Sequence, residues 1–248
     1  MEITRDMGIV TKLVKGNDLS RSTRFHDEKN QFIGWKQLRY TPYAVATSLW
    51  HKMTGQLPEL PWWPFPVIAE LERLIEPTWD VLEFGCGISS IWLAKRAAKV
   101  YSIEGSAAWS QKIKAYAKSH GLNNLTIDLR DSSLYPDRGK FSDEFNTFFS
   151  DVTDLAGSSF NLVIVDGAAR FLCVKAALPL IKRGGFLYLD NSDADKDWAH
   201  YTDPKCSKLA QALLQEMEAK GCGSIKYFRG LSPATPHASE GILFQKSL

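Results

Sequence analysis

Short apolar runs alternate with helical stretches through the middle of the chain, and this alternation limits the fold most strongly. The runs cover residues 80–84, 100–104, 125–129, 160–166 and 186–190. The helical stretches cover residues 88–98, 107–119, 141–155 and 169–182, and Gly184-Gly185 is expected to end the last of them. A run that is apolar at nearly every position is buried on both faces, as in a parallel sheet covered by helices. The pattern therefore predicts an α/β protein with a doubly wound sheet.

The end of the chain breaks this alternation. After a predicted helix at 204–221, two strand-like runs at 224–229 and 241–246 follow, with no helix between them. Strands joined by a loop pair antiparallel, so the two runs should form a hairpin at the sheet edge. The sequence thus predicts a seven-stranded, mostly parallel sheet with a C-terminal antiparallel strand pair.

The part before residue 67 has a different character. A helix is predicted at 42–53, and four prolines follow between residues 57 and 66, which excludes a helix or a central strand there. A second helix at 67–75 leads into the sheet. We therefore expect a helical N-terminal lobe, residues 1–66, that caps the substrate, and a Rossmann-like main domain, residues 67–248.

Composition limits the kinds of binding partner and the cellular location that we expect. The 30 basic and 28 acidic residues leave a net charge of +2, which gives no strong field for a phosphate backbone, so no nucleic-acid partner is expected. None of the four cysteines forms a C-x-x-C pair, which is typical of isolated intracellular thiols. There is no apolar leader and no run long enough to span a membrane, so a cytoplasmic protein without a membrane partner is predicted.

A glycine turn follows the first strand of the sheet. The strand 81–84 runs into Gly85-Cys86-Gly87, and a helix starts directly afterwards. Glycines let a backbone approach a ligand closely, and a helix N-terminus offers free N–H groups. The predicted ligand-binding residues at this turn are Glu83, Phe84, Gly85, Cys86, Gly87, Ser89 and Ser90.

The surroundings of the turn indicate the kind of ligand. Ser90 occupies the place of the third glycine of the dinucleotide pattern, and Glu83 lies just before the turn. A carboxylate repels a diphosphate, whereas it attracts the ammonium group of an amino-acid ligand. This difference favours S-adenosylmethionine (SAM) over a nicotinamide dinucleotide.

Two further acidic residues follow the next strands. Glu104 lies 21 residues after Glu83 and ends the second strand, where an acidic residue binds ribose hydroxyls in nucleotide-binding folds. Gly105 and Ser106 follow Glu104 and are included in the predicted ligand-binding set. Asp131 and Ser132 follow the third strand, where Asp131 either accepts a hydrogen bond from an adenine amino group or caps a turn.

The fourth and fifth strands also end in polar residues. Asp166 ends the fourth strand, Asp190 and Asn191 end the fifth, and carboxyl ends of parallel strands meet in one crevice. Three interpretations are open. The three residues hold Mg²⁺, or Asp166 acts as a general base on a substrate hydroxyl, or all three only cap the helices that follow. Arg170 either binds a substrate carboxylate or pairs with Asp166. Asp166 and Arg170 are the predicted catalytic residues, and Asp166 is also included in the SAM-binding set.

With these residues the chain resembles the class I methyltransferase superfamily, from about residue 80 to the end. The resemblance lies in Glu83-Phe84-Gly85-Cys86-Gly87, Glu104, Asp131, Asp166 and the terminal strand pair. It implies SAM over the glycine turn with its ribose on Glu104. The segments 165–170 and 189–193 are similar to a bacterial group of this superfamily. Asp166, Asp190 and Asn191 are also similar in position to the metal triad of catechol-type O-methyltransferases.

The predicted activity is methyl transfer from SAM to a small-molecule acceptor, at oxygen rather than nitrogen. An aminopropyltransferase-like enzyme and a non-catalytic nucleoside-binding pseudo-enzyme are the alternatives. The acceptor itself is not predicted, and a homo-oligomer is among the expectations.

Overall fold

The computed structural model describes residues 21–135, 143–194, 204–235 and 237–248. Helices and strands alternate along it as the apolar runs predict. In chain order they are α1 (Thr41–Thr54), α2 (Phe65–Leu74), β1 (Asp80–Phe84), α3 (Ile88–Ala94), β2 (Lys99–Glu104), α4 (Ala107–Ser119), β3 (Leu125–Leu129), α5 (Asp143–Ser150), β4 (Phe160–Val165), α6 (Arg170–Ala177), β5 (Ile181–Leu189), α7 (Pro204–Ala219), β6 (Gly223–Leu231) and β7 (Ala238–Lys246).

The sheet has seven strands in the order β3-β2-β1-β4-β5-β7-β6. The strands β1 to β5 pair parallel, and β7 is inserted antiparallel between β5 and β6. This confirms the predicted doubly wound, mostly parallel sheet and the C-terminal antiparallel pair. Because β1 and β4 are adjacent although they are distant in sequence, the crevice at their carboxyl ends is a topological switch point.

Helices cover both faces of the sheet. Val81 of β1 faces a core that also holds Trp63 and residues of α2 and α3, whereas Leu82 faces a core with α5, α6 and α7. Neighbouring strand residues point to opposite faces, so both faces of β1 are buried. The N-terminal lobe therefore shares one core with the sheet, because Ile33, Ala44 and Trp63 belong to the first cluster.

The start of β5 corrects one prediction. The helix expected at 169–182 ends at Ala177, and β5 begins at Ile181 instead of residue 186. Pro179 lies in a 3₁₀ turn at Leu178–Leu180, where its missing N–H and its ring prevent the helix from continuing. Gly184 has a positive φ of 74° within the strand and forms an irregularity there, so the glycine pair bends a strand and does not end a helix.

A buried charge network fastens the N-terminal segment to β6 and β7. Arg229 of β6 pairs with Asp27 at 3.0 Å and also with Glu240 of β7. Lys29 pairs with Glu240 at 3.1 Å. The carboxylate of Asp193 accepts hydrogen bonds from the backbone N–H groups of residues 28 and 240. The segment that precedes α1 is thus held by buried acids and not only by apolar contacts.

No helix in the described part of the chain is both long and apolar enough to cross a membrane.

Removal of one acid from this network should destabilise the fold. Asp27 is fully buried and accepts the backbone N–H of Gln31 at 2.8 Å, so Asp27→Ala removes this acceptor as well as one partner of Arg229, and we expect the free energy of unfolding to fall by about 2 kcal/mol. Urea unfolding followed by circular dichroism measures the change. Asp80→Ala is the control, because Asp80 and Lys182 lie 3.9 Å apart and both are more than one third exposed. It should cost less than about 1 kcal/mol. Equal costs for the two variants would contradict the structural role of the network.

Candidate functional site

The turn after β1 packs directly against the loop after β4. Gly85 has a positive φ of 97°, and a Cβ atom at this position would lie 2.5 Å from the backbone oxygen of Asp166. A Cβ atom at Gly167 would lie 3.1 Å from the Cα atom of Gly85. Only glycine satisfies both the conformation and the close approach at residue 85. The two loops therefore form one continuous edge at the carboxyl ends of the central strands.

Glu83 lies beneath the turn and is fully buried. Its carboxylate accepts hydrogen bonds from the hydroxyls of Ser89 and Ser102, each at 2.6 Å, and from that of Ser90. Ser90 in turn accepts the backbone N–H of Gly87 at 2.9 Å. Burial raises the pKa of the Glu83 carboxyl to about 7, although the serine hydroxyls oppose the shift. The predicted direct contact between Glu83 and a ligand ammonium group would require this cluster to open.

Glu104 ends β2 and joins two loops. Its oxygens accept the backbone N–H groups of Cys86 at 2.8 Å and Ser106 at 2.7 Å. Burial raises the pKa of the Glu104 carboxyl, and these backbone donors oppose the shift. Each carboxylate oxygen has lone pairs for a second donor, so the group can still accept hydroxyls. The thiol of Cys86 is buried, and burial raises its pKa, so it is not a reactive thiolate.

Two phenyl rings of α5 lie beneath the glycines of this edge. A Cβ atom at Gly105 would lie 2.9 Å from Phe145, and one at Gly167 would lie 3.1 Å from Phe149. Arg130 fixes the end of α5, because its guanidinium donates to the carbonyl oxygens of residues 148, 149 and 151. Phe145, Phe149 and Arg130 were not among the residues predicted for this site.

Asp131 caps a turn in the structure. Its carboxylate accepts the backbone N–H of Ser133 at 2.9 Å, and this bond lowers the pKa of the exposed Asp131 carboxyl. Ser132 donates its backbone N–H to the carbonyl oxygen of Gly105 at 2.9 Å. Asp131 and Ser132 thus lie next to the end of β2, on the same edge as Glu104.

Asp166 receives hydrogen bonds from several elements. The indole N–H of Trp63 donates to Oδ2 at 2.9 Å, and Arg170 lies 3.4 Å from Oδ1. Burial raises the pKa of the Asp166 carboxyl, and Arg170 opposes the shift. The Asp166 side chain is 23% exposed, whereas the Arg170 side chain is 5% exposed. Asp166 is thus the member of this group that faces open space.

Asp190 lies behind Asp166 and is buried. It accepts the hydroxyl of Tyr188 at 2.6 Å. Burial, together with the neighbouring Asp166 charge, raises the pKa of Asp190 well above its usual range. The carboxylate of Asp166 therefore disfavours a second negative charge at Asp190.

The structure does not support a Mg²⁺ site here. The guanidinium of Arg170 already contacts Asn191 Oδ1 at 3.0 Å and lies beside Asp166, so a cation occupies the place between two of the three predicted ligands. Within the described residues, no group of three or more His, Cys, Asp or Glu side chains could hold a metal ion. Of the two interpretations of Arg170, the structure contains the ion pair with Asp166.

The structure brings most of the predicted site residues to one edge. Glu104, Asp131 and Asp166 all follow carboxyl ends of neighbouring strands, and Ser106 lies beside them. Glu83, Ser89 and Ser90 form the buried layer under this edge. The contact of Trp63 with Asp166 is not apparent from the sequence, because the two residues lie 103 positions apart. Trp63 does pack against Trp92 and Tyr188, with ring centroids at 6.2 and 5.1 Å.

Comparisons with known proteins establish the fold. No protein-family model and no curated protein matches the sequence. The O-methyltransferase TomG from Streptomyces achromogenes, crystallised with SAM, is 16% identical over 87% of this chain and 100% of that chain, with a TM-score of 0.55. A Klebsiella pneumoniae protein assigned as an O-methyltransferase is 14% identical over 85% of this chain and 100% of that chain, with a TM-score of 0.54.

A third structure, SMU.1697c from Streptococcus mutans, is assigned as a methyltransferase and was crystallised with S-adenosylhomocysteine (SAH). It is 14% identical over 74% of this chain and 97% of that chain, with a TM-score of 0.51. Identities this low establish a shared architecture only. The chain therefore has the fold of the class I SAM-dependent methyltransferases.

The pKa of Glu83 gives a testable pH dependence. A carboxyl group whose pKa is raised by folding from 4.5 to about 7 stabilises the protein most below pH 4.5. This contribution to stability is lost as the pH rises to about 7. Glu83→Gln has no such titration. The free energy of unfolding of the wild type minus that of Glu83→Gln should therefore fall by up to about 3 kcal/mol over this range and stay constant above it. Urea unfolding at several pH values measures the difference, and a difference independent of pH would contradict the buried, protonatable carboxyl.

Proposed function

We propose that this protein is a SAM-dependent methyltransferase that methylates a small-molecule acceptor, at oxygen in preference to nitrogen. One observation carries the proposal: the Glu104 carboxylate ends β2 directly beside the Gly85–Gly87 turn, at the start of α3. An acid that can bind a ribose diol, next to a glycine turn whose backbone a ligand can approach closely, matches a nucleoside that carries an amino-acid group.

The edge residues fit SAM by their chemistry. The oxygens of Glu104 suit the two ribose hydroxyls, and the bare backbone of the glycine turn suits the methionine part. Asp131 and Ser132 lie where they can meet the adenine. Glu83, Ser89 and Ser90 serve this site by supporting the turn from below, because the two serine hydroxyls donate hydrogen bonds to the Glu83 carboxylate. The proposed SAM-binding set remains the one predicted, namely Glu83, Phe84, Gly85, Cys86, Gly87, Ser89, Ser90, Glu104, Gly105, Ser106, Asp131, Ser132 and Asp166.

Asp166 is the proposed general base for the acceptor. It is the partly exposed member of a buried polar group, and Arg170, Trp63 and Asp190 hold its carboxylate in place. SAM supplies the methyl group as an electrophilic carbon. A lone pair of the acceptor hydroxyl forms the bond to this carbon, the carbon–sulfur bond breaks with its electrons going to sulfur, and the hydroxyl proton passes to Asp166. An oxygen acceptor needs such a base, which supports oxygen over nitrogen.

Charge and architecture support a small acceptor. The net charge of +2 gives little attraction for nucleic acid, and no membrane partner is proposed. TomG takes part in tomaymycin synthesis, which supports a small-molecule acceptor for this fold.

We propose that the lobe of residues 1–66 caps the acceptor, because Trp63 reaches Asp166 from it. The loop 134–140, also predicted to cover the acceptor, lies mostly outside the described residues. A cytoplasmic location stays a prediction.

Glu104→Gln tests the donor site. The variant keeps one acceptor oxygen for the loop N–H groups but loses the charge that strengthens the ribose hydrogen bonds, so SAM affinity should fall about 10- to 100-fold. Isothermal titration measures the dissociation constant. Glu216→Gln, an exposed i,i+4 partner of Lys220, is the control and should bind SAM like the wild type. Equal affinities for all three proteins would contradict the assignment of Glu104.

The same titration tests the aminopropyltransferase alternative, and an assay of methyl transfer tests the non-catalytic alternative. An aminopropyltransferase should bind decarboxylated SAM more tightly than SAM, whereas the proposed enzyme should prefer the intact donor. Binding of SAM without methyl transfer to any pool of phenols, hydroxy acids or amines would favour the non-catalytic nucleoside-binding alternative.

Asp166→Asn tests the acceptor chemistry. The amide cannot take the acceptor proton, so kcat for a hydroxyl acceptor should fall at least about 100-fold. Transfer of a labelled methyl group to a non-acidic phenol measures the effect. With an acidic phenol that is already ionised at the assay pH, the loss should be much smaller, because no proton has to be removed. An equal loss with both phenols would contradict the role of Asp166 as a base.

A further inference from the structure

Helix α1 has its polar side turned toward the protein. Ala44 is its only buried residue, and the partly buried residues are Thr41, Thr47, Ser48 and His51. The hydroxyl of Thr47 accepts the backbone N–H of Ala234 at 3.2 Å. A surface helix normally buries its apolar side, so this arrangement is the reverse of the usual one.

The opposite side of α1 is apolar and exposed. We call it the α1 face; its members are Pro42, Tyr43, Val45, Ala46, Leu49, Trp50 and Met53. The large side chains are between 51% and 82% exposed. Their exposed area amounts to about 500 Å², taking about 200 Å² for a whole aromatic side chain. That is near the upper end for the largest apolar patch of a monomer, and such patches mark interaction sites.

We propose that the α1 face is the interface between two copies of this chain, with the two helices antiparallel across a two-fold axis. Two such faces bury about 1,000 Å² in total, which is the lower limit for a specific protein–protein interface. Trp, Tyr and Met are also the residues that interfaces favour. The interface is independent of the proposed methyltransferase activity.

The α1 face is complementary to itself, as a two-fold interface requires. With the axis at the level of the Thr47–Ser48 peptide bond, antiparallel pairing sets Pro42 against Met53. The same pairing sets the small Ala46 against Leu49 near the centre of the face, so that the helices can approach closely.

A second copy fits the α1 face better than a membrane does. Helices that lie on membranes carry lysines and arginines along a polar side that faces water. In α1 the polar side packs on the protein and holds Thr41, Thr47, Ser48 and His51, none of which is a lysine or an arginine. The single full charge in the helix is Lys52, at the border of the apolar side.

Sedimentation equilibrium of the full chain tests the proposal. The wild type should have twice the chain mass of 27.9 kDa, and Leu49→Glu should raise the dissociation constant of the dimer at least about 100-fold. Leu209→Glu is a matched control, because Leu209 on α7 is 50% exposed and Leu49 is 53% exposed. The control should remain dimeric. Far-UV circular dichroism of both variants should equal that of the wild type, since neither leucine is buried.

Three results would overturn the proposal. One is a wild type that is monomeric at all concentrations, whether or not the monomer sediments with vesicles of phosphatidylserine and phosphatidylcholine. Another is a wild-type dimer that Leu49→Glu leaves intact. The third is an equal loss of dimer in both variants, which would indicate a non-specific effect of the added charge.

Discussion

The site depends on a carboxylate that has no access to water. Glu83 is fully buried, so its hydrogen-bond donors must come from the protein, and Ser89, Ser90 and Ser102 supply them. Because β1, β2 and the first turn of α3 contribute to this cluster, it fixes all three relative to one another. Of the two backbone N–H groups that hold Glu104, that of Cys86 belongs to the turn that this cluster supports. The geometry of the predicted nucleoside site therefore follows from the buried layer beneath it.

A second polar group links the sheet to the N-terminal lobe. Burial raises the pKa of Asp166 and of Asp190, and the positive charge of Arg170 opposes both shifts. The indole of Trp63 joins the group from the segment before α2. An acceptor that binds against Asp166 would therefore contact both the sheet and the lobe. This arrangement couples the position of the lobe to the charge at the centre of the site.

The sheet and the place of the site were predictable because their signals are local. Apolar runs, the turn at Gly85 and acids at strand ends such as Glu104 can be recognised within a few residues of sequence. The start of β5 was missed because the glycine pair was interpreted as a helix end. The contact of Trp63 with Asp166 joins residues that are far apart in sequence, and no short motif encodes it. The same holds for Phe145 beneath Gly105, and for the hydrogen bond from Ser102 to Glu83.

Isothermal titration of the purified wild-type protein with SAM, and then with SAH, tests the central claim most directly. We predict micromolar binding of both nucleosides at one site per chain, with no requirement for Mg²⁺. The absence of measurable binding heat for either nucleoside at several temperatures would contradict the claim, and only the methyltransferase fold would then remain.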